Sequence, residues 1–455
     1  MLHFLKSRQR NYSENLRISL PIILSFAGQS LVQVADSIMV GQTGTTPLAA
    51  ASLAGTIVMN ILVFGIGLSV GLTPFIGRAW AKGEYRVASG YFLNSLALNT
   101  ISGTFLTIAL LSLAPFLDSF GQPSEVVAIA GPYYFLISLS VIPFMLFLTF
   151  KQFMEGTGNT KVAMYITIIS NLINIFLNYI LIFGNFGAPR LGITGAGVAT
   201  LIARIAAPLL FYIWLRKDHS YRRFIKLFSG LKVSLKTQIE LLKIGLPISG
   251  QMVVEFLSLS IITIMMGWIG TEALAANQIA QTMISLTYMV SNGIAAASTV
   301  TVSHSFGLGN IRLARKKGFA GMHLSLLFMS FAALTFLLWG EEIASLFTDS
   351  ERVIEICRDL FIVVAFFEIF DGLQVSALGA LRGIMDVNRA MLYAILSYAF
   401  VSLPVAYIMG FLFGFGESGL MLGFAFGLFT ASTLFIIRFR RKTAQLSSAI
   451  NKFGE

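Results

Sequence analysis

The chain has 455 residues, of which 56% are hydrophobic and only 12% charged, with a mean hydropathy of +0.79. A soluble domain carries about 25% charge, so most of this chain lies in lipid. A single cysteine, four scattered histidines and no Walker-type phosphate loop leave no disulfide framework, no histidine zinc pattern and no ATP-hydrolysing site.

Apolar runs of about 20 residues, enough to cross a bilayer, fall at 16–40, 52–75, 92–115, 131–150, 162–184 and 193–215. Six more follow at 241–266, 276–300, 318–339, 358–380, 390–412 and 418–437. If the chain starts inside, all of its 32 Lys and Arg lie on the inner side except Arg190, Arg352 and Arg358 outside and Arg204 within a span. Acids such as Glu341, Glu342, Asp349, Glu351, Glu355 and Asp359 gather outside. The positive-inside rule therefore predicts an all-α integral membrane protein with twelve transmembrane helices and both termini cytoplasmic. The net charge of +11 is then an inner face against anionic lipid and calls for no nucleic acid. The basic start, Met1–Arg17, leads into an apolar stretch that contains Asp36 and is too long for a signal peptide, so it reads as an uncleaved first span.

The halves repeat with a period of 226. Ile18-Ser-Leu-Pro-Ile22 lies over Ile244-Gly-Leu-Pro-Ile248, Gly41 over Gly267, and Leu48-Ala-Ala50 over Leu274-Ala-Ala276. Six spans per half make these parallel repeats, and two six-helix bundles around a cleft suit alternating access. The predicted organisation is a first lobe over 1–216, a basic cytoplasmic linker over 217–240 and a second lobe over 241–455. Within the linker, 224–242 has the pattern of an interfacial amphipathic helix, although a solvated tether on lipid headgroups is the simpler reading. Pro21 and Pro247 read as helix-start residues. Pro143, Pro208 and Pro404 lie deeper and are expected to kink their helices. Gly67–Gly71, Gly379–Gly383, Gly410–Gly414 and Gly423–Gly427 have the spacing that lets helices approach closely.

Four acids fall inside spans: Asp36, Glu255, Glu368 and Asp371. An Asp at mid-membrane costs roughly 2.5–3.5 kcal/mol even on lenient scales, so such residues face protein or water and are functional candidates. Glu255 and Asp371 come out at similar depth and form a candidate cation site, for Na⁺ through hard oxygen ligands or for a shared proton. Glu368, three residues before Asp371, shares its helix face and belongs either to that site or nearer the outer mouth. Asp36, the amides Asn174 and Asn178 and the hydroxyl of Thr200 form a second possible cluster. Arg204 either neutralises an acid such as Asp36 or touches an anionic substrate.

Taken in order, Val34-Ala-Asp-Ser-Ile-Met-Val-Gly41, Asn174–Gly184, Gly187-Ala-Pro189, Gly195-Ala-Gly-Val-Ala-Thr200 and Ala377-Leu-Gly-Ala-Leu-Arg-Gly383 resemble the MATE family of multidrug and toxic-compound efflux transporters, in its NorM-like branch. The resemblance implies two six-helix bundles forming a V-shaped central cleft in the bacterial cytoplasmic (inner) membrane. It also implies a monomeric antiporter, not an enzyme, that exports amphipathic cationic drugs or dyes as Na⁺ or H⁺ enters, with no cofactor besides the coupling ion. In that light Glu255 and Asp371 look like second-lobe ion ligands, with Gln278 and Tyr288 beside them. Asp36, Asn174, Asn178 and Thr200 match a first-lobe cluster, and Asp349 resembles an acid that contacts substrate in some relatives. Arg204 and Glu368 fall outside the family pattern. The rival is a lipid-linked oligosaccharide flippase of the same superfamily. Such flippases carry more spans and a basic cavity, whereas acids dominate these spans.

Overall fold

In the computed structural model, residues 2–226 and 230–453 are described, and among them the chain is helical with no strand. The first half contains α1 (Leu2–Gly41), α2 (Thr45–Val70), α3 (Leu72–Ala81), α4 (Tyr85–Leu113), α5 (Ser124–Leu139), α6 (Val141–Gly156), α7 (Thr160–Phe183) and α8 (Ile193–Lys217). A short α9 (His219–Lys226) precedes α10 (Leu235–Ile269), α11 (Thr271–Gly307), α12 (Ile311–Ser345), α13 (Glu351–Gly383), α14 (Val387–Ile395), α15 (Leu403–Tyr407) and α16 (Gly416–Phe453). With α2–α3, α5–α6 and α14–α15 each read as one continuous span, these make the twelve long helices expected.

Ten of the twelve are long and apolar enough by themselves to cross a membrane. The exceptions are α11 and α13. The first is rich in Ser, Thr, Asn and Gln, and the second holds Glu351, Arg352, Glu355, Arg358, Asp359, Glu368, Asp371 and Arg382. Of these two, α13 packs against α11, α12 and α16.

The described residues form two compact units, Met1–Ile23 with Gly250–Glu455, and Leu24–Ser249. The start of α1 therefore packs with the second half of the sequence, while the linker and the start of α10 pack with the first. Pro21 and Pro247 do not start helices. They lie well inside α1 and α10, each two residues before the helix passes from one unit to the other. Pro143 follows the break between α5 and α6, and Pro404 follows a wide π-helical turn over Leu396–Ser402, which accommodates its missing N–H. Pro208 sits in an uninterrupted α8.

The linker is not one interfacial helix and not a bare tether. Gly230 takes φ +98 and residues 231–234 are non-helical, while residues 227–229 lie outside the described residues. Ahead of that break, α9 is docked by aromatic rings. Tyr221 stacks on Trp80 with centroids 5.4 Å apart, and Phe224 lies 4.6 Å from Phe153. Beyond it, the Ser234 amide donates to Asn94 Oδ1 at 2.7 Å and the Tyr91 hydroxyl to Glu240 Oε2 at 3.0 Å.

The small-residue pairs act as expected, with one exception. A Cβ on Gly67 would lie 2.5 Å from Ser249 Cα, and on Gly71 2.9 Å from Gly245 Cα. Gly383 and Gly427 are as tightly faced, by Val302 and Ser402. Gly414 instead takes φ +73 in a turn with open space around it, so its glycine serves backbone conformation, not helix packing.

Candidate functional sites

In the unit containing Gly250–Glu455, three helices and a π turn supply one polar cluster. Glu368, Asp371 and Gln374 follow one another at three-residue steps along α13, which places them on adjoining turns of one face. All three are buried. Glu255 comes from α10, Thr287 and Tyr288 from α11, and Tyr398 from the π turn. Asp371 lies within electrostatic reach of Glu255 and of Glu368, and both tyrosines border the Glu255–Asp371 pair. The Thr287 hydroxyl donates to Glu368 Oε1 at 3.0 Å. A relay approaches from α13: Arg382 Nη2 donates to Gln251 Oε1 at 2.8 Å, and Gln251 Nε2 donates to Glu255 Oε2 at 2.6 Å.

The cluster is under-satisfied. Asp371 Oδ2, Glu368 Oε2, both polar atoms of Gln374 and the Tyr398 hydroxyl are buried without a hydrogen-bond partner among the described residues, although Tyr398 and Gln374 border Glu255. Buried polar atoms are nearly always bonded, so this many unengaged ones in one place mark the cluster as a candidate site. Among the described residues no three His, Cys, Asp or Glu side chains are close enough to hold a metal ion.

The sequence-predicted residues separate accordingly. Glu255, Asp371, Glu368 and Tyr288 come together. Gln278 is exposed on α11 and shares no described contact with them, because it lies nearly three turns from Tyr288. Asp349 is exposed in the turn before α13. Gln251, Gln374, Arg382 and Tyr398 were not singled out from the sequence. Gln251 four residues before Glu255 and Gln374 three after Asp371 carried a spacing signal, whereas Tyr398 carried none.

In the Leu24–Ser249 unit the second cluster is a hydrogen-bonded chain. Asn178 Nδ2 donates to Asp36 Oδ1 at 2.5 Å and to Asn174 Oδ1 at 3.2 Å, and Asn174 Nδ2 donates to Thr200 Oγ1 at 3.3 Å. The i, i+4 asparagines of α7 thus link α1 to α8. Asp36, Asn174, Thr200 and Arg204 border a cavity of about 250 Å³ with a largely apolar remainder. Arg204 Nη1 donates to Ser140 Oγ at 2.8 Å and its guanidinium lies 4.6 Å from the Phe144 ring centroid. Among the described residues no ion pair joins it to Asp36, although the two lie within electrostatic reach. Replacing Asn178, which is fully buried, with leucine is expected to cost about 1–3 kcal/mol of stability, the penalty for stripping partners from enclosed acceptors. Thermal denaturation in detergent reads this directly, and an unchanged melting curve would remove the chain's structural role.

The two clusters are not copies of each other. The 226-residue period carries Glu255 onto Gln29 and Asp36 onto Ile262. The repeat preserves backbone and packing, and each unit places its acids differently.

A family model described as MatE matches residues 21–180 and again 247–408. The probable multidrug resistance protein NorM of Rhizobium meliloti is 30% identical over 454 residues, covering 98% of this chain and 97% of that protein. The probable multidrug resistance protein NorM of Rhodopseudomonas palustris is 34% identical, covering 96% and 93%. Among solved structures, an outward-facing multidrug resistance MATE family transporter of the MOP superfamily matches with a TM-score of 0.86 at 22% identity, covering 96% of this chain and 97% of that one.

Proposed function

Because this chain belongs to the MatE family of membrane transporters, in its NorM-like branch, we propose that it is a multidrug efflux antiporter exchanging amphipathic, often cationic compounds for inward Na⁺ or H⁺ by alternating access. The observation that carries the coupling reading is the Glu255–Glu368–Asp371 cluster, with its unengaged buried oxygens. Carboxylates that bind a cationic substrate lose that affinity when an ion or proton neutralises them, and this differential affinity is what shifts a two-state equilibrium. Arg382, through Gln251, holds Glu255 Oε2, and the unengaged oxygens of Asp371 and Glu368 remain for the ion. The Asp36–Asn178–Asn174–Thr200 chain is the second candidate ion or proton site, beside a small, mostly apolar cavity.

The protein functions in this reading in a bacterial cytoplasmic membrane with both termini inside. A single chain suffices, since each cluster is complete within one unit. The test is cationic-dye transport in proteoliposomes with Na⁺ and H⁺ gradients imposed separately. Dye movement under one gradient and not the other identifies the coupling ion. No movement under either, with intact protein, would sink the antiport assignment.

A further inference from the structure

Along α12, Arg312, Arg315 and Lys316 occupy i, i+3 and i+4 at the helix start, and half-buried Phe319 and exposed His323 continue the same stripe. Together with Tyr12 from the start of α1 they border a cavity of about 410 Å³. The pocket is built rather than incidental. The Tyr12 hydroxyl and His323 Nδ1 are 2.9 Å apart, their rings stack, and Arg315 lies over the Phe319 ring at 5.9 Å. Among the described residues no acid lines this cavity and no ion pair engages Arg312, Arg315 or Lys316. The nearby Glu14 is bound to Lys317, on the buried side of α12, at 2.7 Å.

We propose that this cavity binds the phosphate-bearing headgroup of an anionic phospholipid. Three cations beside a Tyr–His pair match a phosphate anion. What favours a lipid over free phosphate is the continuation of the stripe. About one and two turns beyond His323 the same face carries Leu327 and Phe331, 72% and 69% exposed, followed by exposed Leu334 and Leu338. A headgroup in the cavity thus leaves its acyl chains along an apolar track, the arrangement expected where a basic pocket meets the anionic leaflet. The inference is independent of what the protein transports.

The full-length protein, purified in mild detergent, is incubated with phosphatidylglycerol or with phosphatidylethanolamine, and bound lipid is counted by native mass spectrometry. R312Q/R315Q/K316Q is expected to lower retained phosphatidylglycerol by at least about tenfold, since each charge near an anionic surface contributes separately. A matched loss of charge elsewhere, R440Q/R441Q/K442Q, is expected to change it less than about twofold if the site is local. Equal losses in both variants, or none in the first, overturn the proposal in favour of diffuse attraction. Should the triple variant not purify as a single species, Arg312→Gln at its exposed position reads the same quantity. Displacement of the lipid by millimolar inorganic phosphate, or phosphate retained without lipid, reassigns the site to a free anion and overturns the lipid proposal.

Discussion

Asp371→Asn is expected to cut gradient-driven export sharply while leaving the fold intact. Asparagine nearly matches aspartate in shape, so the packing of α13 against α11, α12 and α16 is retained. The substitution removes one of three acids gathered within electrostatic reach, and loss of like charge in a low-dielectric interior does not weaken folding. Coupling suffers instead. For ion and substrate to alter each other's affinity by about 100-fold, their coupling must reach about 2.7 kcal/mol, and a carboxylate whose Oδ2 is buried and unengaged is the group positioned to supply it. Initial dye-export rates under the effective gradient should fall about 100-fold, with the melting temperature unchanged or raised. Full transport by Asp371→Asn would move the coupling site to Asp36, whose own substitution then becomes decisive. A variant that melts early says nothing about coupling, so both readouts are taken on one preparation.

The largest expected effect on stability is Gly379→Val. A Cβ at Gly379 would run into the carbonyl group of Ala295 on α11, with the Ala295 Cα 3.0 Å away, and this is backbone that cannot rotate aside. The same contact includes a hydrogen bond from the Thr299 hydroxyl to the Gly379 carbonyl oxygen at 2.9 Å. Overpacking costs typically about 1–3 kcal/mol, and more when neither helix can yield. Here it pries α11, with Thr287 and Tyr288, from α13, with Glu368 and Asp371. Gly379→Val is expected to lose monodispersity or to melt well below the parent in detergent. Gly55→Val in α2, where a Cβ meets nothing within 4 Å, should purify and melt like the parent. Equal behaviour of the two variants would refute the close-approach argument.

Much of this was legible because a membrane simplifies the problem. Helix Thr45–Ala81 or Thr160–Phe183 is recognisable from composition alone, since in lipid a backbone satisfies its hydrogen bonds within its own helix. The acids Asp36, Glu255, Glu368 and Asp371 stood out for the same reason, as costly residues that need an interior partner. The partners were less legible. Arg382 and Lys151 counted only as inner-side positive charge, yet Arg382 reaches back to Gln251, and Lys151 is buried beside Glu155 and over the Phe26 ring. Gln278 and Tyr288 share α11, but only Tyr288 faces Asp371. That choice is set by which turn of α11 lies at the depth of Asp371, since the two residues are nearly three turns apart.

The sequence by itself determined twelve spans, a parallel repeat and which charges had to be enclosed, because each is a property of local composition and of the cost of polar groups in lipid. Only the tertiary structure decided that α1 and α10 each change units two residues after a proline, that α9 docks through Tyr221 and Phe224, and that Tyr398 in a π turn meets Glu255. These are convergences between residues up to hundreds of positions apart, and they follow from how close-packed helices interlock rather than from any one segment's own preference.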